Sequence, residues 1–191
     1  ITNFVIDAFV GYGIPREDAE ICADVLLESD KRGIESHGVN RFKPIYLDRI
    51  KAGIQNPVTE IEIVKNFAAT AVLDGHDGMG QVVSHKAMSM AIEKAKKYGI
   101  GMTVVRNSCH YGIAGYYTQM AAKRGLIGFS CTNSEAIMVP TFAKKAMIGS
   151  NPISMAVPAE PYPFLYDAST TVVTRGKLEM YNKMAKPLPD G

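Results

Sequence analysis

The spacing of apolar residues changes period near residue 57, and this change restricts the fold more than any single motif. Upstream the pattern is helical. A helix is expected over residues 15–32: Pro15 suits a first turn, Glu17, Asp18 and Glu20 lie at the positive end, and Ile21, Val25 and Leu26 share one face. Gly33 ends it. A second helix is expected over residues 41–51, with Phe42, Ile45, Tyr46 and Ile50 at helical spacing ahead of Gly53 and the Asn56-Pro57 turn. Residues 1–56 therefore read as a helical subdomain.

Downstream, short apolar or alternating runs at 60–64, 69–73, 101–105, 126–131, 153–157 and 164–166 read as strands. Between them, helical spacing covers 81–97 and 114–124, each followed by a glycine, and a further helix is expected between Thr171 and Met184. Residues 57–191 are thus an α/β region with a mixed sheet. The last residues, 186–191, hold two prolines and a glycine and read as a turn or linker. That is an odd place for an enzyme to finish, so the region is expected to be incomplete at its C-terminal side.

Composition narrows the partners. A formal net charge of +2, with no run of Lys or Arg longer than two, provides no field for nucleic acid or an anionic membrane. No apolar stretch approaches the roughly 20 residues of a membrane span. Cys22, Cys109 and Cys131 are widely spaced and odd in number, which suits reduced thiols in the cytoplasm better than a disulfide framework. His76 and His85 have no His or Cys at metal-ligand spacing, so no metal is expected.

The densest polar cluster is Glu35-Ser36-His37-Gly38 with Arg41, placed in a connection between helices. Reduction of a 2-oxo acid needs a proton donor at the carbonyl oxygen, and a histidine titrating near neutrality can be one. Arg41 offers a planar fork that matches a carboxylate, and Ser36 can orient the substrate or the imidazole. Taken alone, the same residues also fit a loop histidine bonded to backbone beside an exposed arginine. His110, in Arg106-Asn107-Ser108-Cys109-His110-Tyr111-Gly112, lies where a strand yields to a helix; the positive helix end there favours its neutral form. A structural cap is the competing role. Cys131-Thr132-Asn133-Ser134 and Asp167-Ala168-Ser169-Thr170 end two expected strands with small hydrogen-bonding groups suited to ribose or phosphate oxygens. Gly75, Gly78 and Gly80 run in the reverse order of the dinucleotide fingerprint, so the usual Rossmann loop is absent.

Read together, Arg32-Gly33-Ile34-Glu35-Ser36-His37-Gly38, Leu73-Asp74-Gly75, Gly80-Gln81, His110-Tyr111-Gly112-Ile113-Ala114, Gly149-Ser150-Asn151-Pro152 and Asp167-Ala168-Ser169 resemble the second type of malate/L-lactate dehydrogenase family. Ureidoglycolate dehydrogenase, sulfolactate dehydrogenase and diketogulonate reductase belong to that family. The resemblance implies hydride transfer between NAD or NADP and C2 of a small 2-hydroxy or 2-oxo acid. It also implies a non-Rossmann α/β nicotinamide-binding domain and a homodimer. His37 and His110 would be the acid-base candidates, Ser36 and Arg41 the substrate-binding residues, and Ser134, Asp167, Ala168 and Ser169 the cofactor-binding ones. Ser150 stands where the family carries Thr, which keeps the hydroxyl. Reduction of a cyclic imine carboxylate, and a folding or dimerisation piece without activity, are the alternatives.

Overall fold

The computed structural model describes residues 1–188; the turn expected over 186–191 therefore lies, at residues 189–191, outside the described ones. The chain begins with α1 (Thr2–Gly11), which the sequence reading did not anticipate. It has no side-chain cap and no acid in its first turn, so the usual start signals are missing. Its Val5 and Phe9 pack with Cys22 and Leu26 of α2 (Arg16–Lys31) in a core that also takes in Phe42, Tyr46 and Met79. Phe9 meets Phe42 edge-on at 4.7 Å, the geometry that aromatic quadrupoles favour.

The segment expected as one helix over 41–51 is broken into pieces. Two 3-10 turns, Glu35–His37 and Val39–Arg41, lead into a π-helical turn at Phe42–Leu47 and then the short α3 (Asp48–Lys51). Pro44 is the physical reason, because it has no N–H for an α-helical ladder and its ring crowds the preceding turn. The ladder slips by one residue, and the Asp48 N–H reaches back to the Lys43 carbonyl. Tyr46 is fully buried in this wide turn.

Two three-stranded sheets follow among the described residues. In the first, β1 (Glu62–Asn66) runs antiparallel to β2 (Thr70–Asp74), with an irregularity between Ile63 and Lys65. β2 pairs in parallel with β3 (Met102–Arg106) through the crossover helix α4 (Gly80–Tyr98). This sheet is mixed, as expected. The second, antiparallel throughout, holds β4 (Gly128–Cys131), β5 (Ile153–Val157) and β6 (Phe164–Ala168). One of its faces carries α5 (Ala114–Ala122), and a last helix, α6 (Arg175–Lys183), returns to the 3-10 turns near the start of the chain.

Contacts between the helical and α/β parts are both apolar and polar. Val25 of α2 packs with Ile92, Tyr117 and Met120, the Tyr116 hydroxyl donates to Asp24 at 2.7 Å, and Arg32 donates to Gln119 at 2.5 Å. Within the α/β part, α5 lies so close to β4 that a Cβ at Gly128 would overlap the Thr118 carbonyl and sit 2.8 Å from the Thr118 Cα. Gly128→Ala is therefore expected to cost about 2 kcal/mol through forced separation of helix and sheet. The readout is a lowered urea midpoint at unchanged slope. An unchanged midpoint would mean that α5 is not seated on β4 in this way.

Candidate active site

Two loops from distant parts of the chain meet at a pair of histidines. The first follows α2. The Asp30 carboxylate, still on that helix, accepts the Val39 N–H at 2.9 Å and lies flush against the Gly38 backbone, where any Cβ would collide with it. That contact explains why glycine follows the histidine, and it sets His37 at the end of its 3-10 turn. The second loop follows β3. Its Cys109 and His110 carbonyls rest against Gly80 at the start of α4, again with no room for a Cβ. Asp74, at the end of β2, secures the same loop by accepting from Arg106 Nε at 2.7 Å and Asn107 Nδ2 at 2.9 Å. The His76 N–H is the largest of the contacts that hold the Asp74 carboxyl down at about 2.

So arranged, the His37 and His110 rings lie 5.7 Å apart and nearly parallel, at 17°. His110 Nδ1 receives the Gly112 N–H at 3.3 Å, and the Tyr46 hydroxyl lies 2.7 Å from it. A backbone N–H can only donate, so Nδ1 is an acceptor and the neutral ring carries its proton on Nε2. This tautomer is inferred from the bonding. His37 Nδ1 is 2.9 Å from the Ser36 hydroxyl. Burial, followed by the Arg41 guanidinium, lowers His37 to about 4. Burial, followed by His37, Arg49 and Arg41, lowers His110 to about 3. Both rings are therefore neutral at pH 7. The neutral form expected for His110 from the helix end has burial as its main cause instead. Burial also raises the Tyr46 phenol well above its ordinary range, so it keeps its proton.

Arg41 is 5% exposed and already engaged. Its Nε donates to the Ser36 carbonyl at 2.7 Å and its Nη1 pairs with Glu179 of α6; Nη2 is buried without a partner among the described residues. The structure thus brings Ser36, His37, Arg41 and His110 together, and it adds Tyr46 and Glu179. Tyr46 was legible only as a core residue at helical spacing with Phe42. Nothing local in the sequence singles out Glu179.

The residues expected at the cofactor gather at one end of the second sheet. Ser134 Oγ accepts the Ser150 N–H at 2.9 Å, while Asn151 Oδ1 accepts the Ser134 N–H at 3.0 Å. Ser169 Oγ donates to the Ser150 carbonyl at 3.3 Å, and Thr170 N–H does so at 2.8 Å. Gly149 completes a cradle that a Cβ would fill, 2.5 Å from Ser134 Oγ. Ser134 and Thr170 are exposed and Ser150 and Ser169 half-buried, and their hydroxyls form a polar set suited to ribose or phosphate oxygens, so the residues present fit a nucleotide. Asp167 differs from its neighbours: its carboxylate accepts the Gly115 N–H at 2.6 Å in the first turn of α5, a site that favours an anion. Burial nevertheless raises its carboxyl, opposed by that N–H and by Arg32. Ala168 sits opposite Ile153 in the sheet register. Among the described residues no group of three or more His, Cys, Asp or Glu is placed to hold a metal ion, and no helix is long and apolar enough to cross a membrane.

Comparison with known proteins finds relatives over the length of the chain. The family model for malate/L-lactate dehydrogenase matches residues 1–191. Malate dehydrogenase from Pyrococcus abyssi is 50% identical over 189 residues, covering 99% of this chain and 52% of that protein. L-sulfolactate dehydrogenase from Methanocaldococcus jannaschii is 45% identical over 190 residues, covering 99% of this chain and 55% of that protein. The crystal structure of malate dehydrogenase from Entamoeba histolytica superposes with a TM-score of 0.95 at 41% identity, over 99% of this chain and 53% of that one. The chain spans about half the length of the curated relatives it matches. Because the family model extends over the whole chain, this protein belongs to the malate/L-lactate dehydrogenase family.

Proposed function

We propose that this chain supplies the substrate side and part of the cofactor side of an oxidoreductase that moves hydride between NAD or NADP and C2 of a small 2-hydroxy or 2-oxo acid. The observation that carries the reading is the His37–His110 pair, two neutral imidazoles 5.7 Å apart in a partly buried site. Oxidation of a 2-hydroxy acid releases a hydride from C2 and a proton from the 2-hydroxyl; reduction takes up both. Bound NAD or NADP supplies the hydride chemistry. The protein must handle the proton: a neutral imidazole accepts it in the oxidation direction, and the imidazolium so formed returns it in reduction.

His110 Nε2–H, without a protein partner among the described residues, is assigned to hydrogen-bond the 2-oxo oxygen, with the Tyr46 hydroxyl behind it at Nδ1. It delivers a proton in reduction from the imidazolium form, once the ring has taken up a proton from solvent. His37 is the second candidate, as acceptor of the 2-hydroxyl proton. The substrate carboxylate is assigned to Arg41, through Nη2, with the Ser36 hydroxyl beside it. Reaching Nη2 requires the α6 backbone at Gly176 to give way, because that glycine lies against it. A bound carboxylate also adds negative charge, which favours the protonated rings and raises both imidazoles back toward their ordinary 6.5.

Ser134, Asp167, Ala168 and Ser169 are the residues assigned to the cofactor; the cradle around Ser150 supports the hydroxyl members of that set. Asp167 contributes by holding the start of α5. The binding domain is non-Rossmann on this reading, since the Gly75–Gly80 turn is packed against the loop of His110 and is not open to a dinucleotide. Residues 1–56 form the substrate side and 57–191 the cofactor side of a cytoplasmic homodimer, an assembly assigned from the family resemblance.

The test is NADH and NADPH oxidation with oxaloacetate, pyruvate, other 2-oxo acids and a cyclic imine carboxylate. Turnover with a 2-oxo acid is expected, lowered about 100-fold or more by His110→Gln and about 10-fold by Tyr46→Phe. Turnover confined to the cyclic imine would replace the substrate class, and neither turnover nor cofactor binding would leave a folding or dimerisation piece.

Acid stability tests the state of the imidazoles separately. Both are held below the ordinary 6.5 in the folded chain, so on acidification the unfolded chain takes up protons first. The resulting contribution to stability is present above pH 6.5 and is lost as pH falls through about 4 and then about 3. The melting temperature is expected to fall more steeply between pH 6.5 and 4 for wild type than for a His37→Gln/His110→Gln double variant. Parallel curves would mean the rings are not buried neutral.

A further inference from the structure

We propose that Glu179 is a positioning residue for His37, acting through Arg41. Four contacts form the chain of support. Glu179 pairs with Arg41 Nη1 and is itself held by Arg175 Nε at 2.9 Å on the same helix. Arg41 Nε grips the Ser36 carbonyl at 2.7 Å, and the Ser36 hydroxyl touches His37 Nδ1 at 2.9 Å. The α6 backbone closes over this arrangement at Gly176, where a Cβ would overlap Arg41 Nη2 and lie 2.5 Å from the Ser36 carbonyl oxygen. Lys183, near the end of α6, adds a second tether by donating to Asn40 at 2.5 Å.

The physical need for Glu179 follows from burial. An arginine at 5% exposure must be paired or it loses most of its solvation without return. Glu179 is the only carboxylate within ion-pair distance of Arg41 among the described residues. Without it the guanidinium has reason to swing toward water, releasing the Ser36 carbonyl and with it the turn that presents His37. His110 does not depend on this chain, because Tyr46 and Gly112 hold its ring from the other side. The consequence for catalysis rests on the oxidoreductase reading; the positioning itself does not.

The experiment is 15N-histidine NMR of the chain, which follows ring tautomer and pKa without requiring turnover. Wild type is compared with Glu179→Gln, Glu179→Asp and Gly176→Ala. In Glu179→Gln the ring nitrogens of His37 are expected to shift, and its pKa to fall by about half a pH unit, because the Arg41 charge beside it is no longer balanced. The resonances of the remote His85 stay in place, and those of His110, which His37 and Arg41 also face, move less than those of His37. Glu179→Asp, which keeps the charge, restores His37 most of the way, and Gly176→Ala displaces it with the carboxylate intact. Unmoved His37 resonances in Glu179→Gln, or a common shift of all the histidines, overturn the proposal. Absence of turnover in every variant would count against the oxidoreductase reading alone.

Discussion

The site depends on the meeting of His37 and His110, each delivered by a loop held by a carboxylate, the exposed Asp30 for the first and the buried Asp74 for the second. Asp30 grips the loop after α2 through the Val39 N–H, and Asp74 grips the loop after β3 through Arg106 and Asn107 while it also accepts the His76 N–H of its own turn. Asp74 is the stiffer clamp, because it is buried and accepts several charge-assisted N–H bonds, and losing any one leaves a desolvated acceptor. The stacking distance of the two rings is therefore set by the backbone of both loops and not by the weak attraction between imidazoles.

Glycines make those loops compatible. At Gly38 and Gly80 there is no space for a Cβ against the Asp30 carboxylate or the carbonyls of Cys109 and His110. Both glycines belong to motifs that carry the family resemblance, and close approach is a physical reason for each. The same packing explains why the Gly75–Gly80 stretch serves as a strand-to-helix turn: its last glycine is spent on contact with the loop of His110. The π-helical turn belongs to the same design, since it leaves the hydroxyl of the fully buried Tyr46 on His110 Nδ1.

Most strands and the longer helices were legible in the sequence. β5 lies at the expected residues, and α2, α4 and α5 start or stop within a few residues of the glycine and proline signals. α1 was not legible because apolar residues occur around much of its circumference and no cap marks its start. The helix over 41–51 was misjudged because side-chain periodicity does not register a lost N–H; Phe42, Ile45 and Tyr46 keep helical spacing while Pro44 shifts the ladder by one residue. The strands were placed, but the division into a mixed and an antiparallel sheet was not, since pairing partners lie far apart along the chain.

For the candidate site, the sequence alone determined which chemical groups are available: two histidines, a serine and an arginine in polar loops, and hydroxyls at strand ends. Those assignments are local, because residue type and neighbours decide what a side chain can donate or accept. Only the tertiary structure decided that His37 and His110 share one site and that both are neutral. Only the fold committed Arg41 to Glu179 and placed Tyr46 behind His110. Burial and long-range contact set protonation and pairing, and neither is a property of any stretch of sequence read by itself.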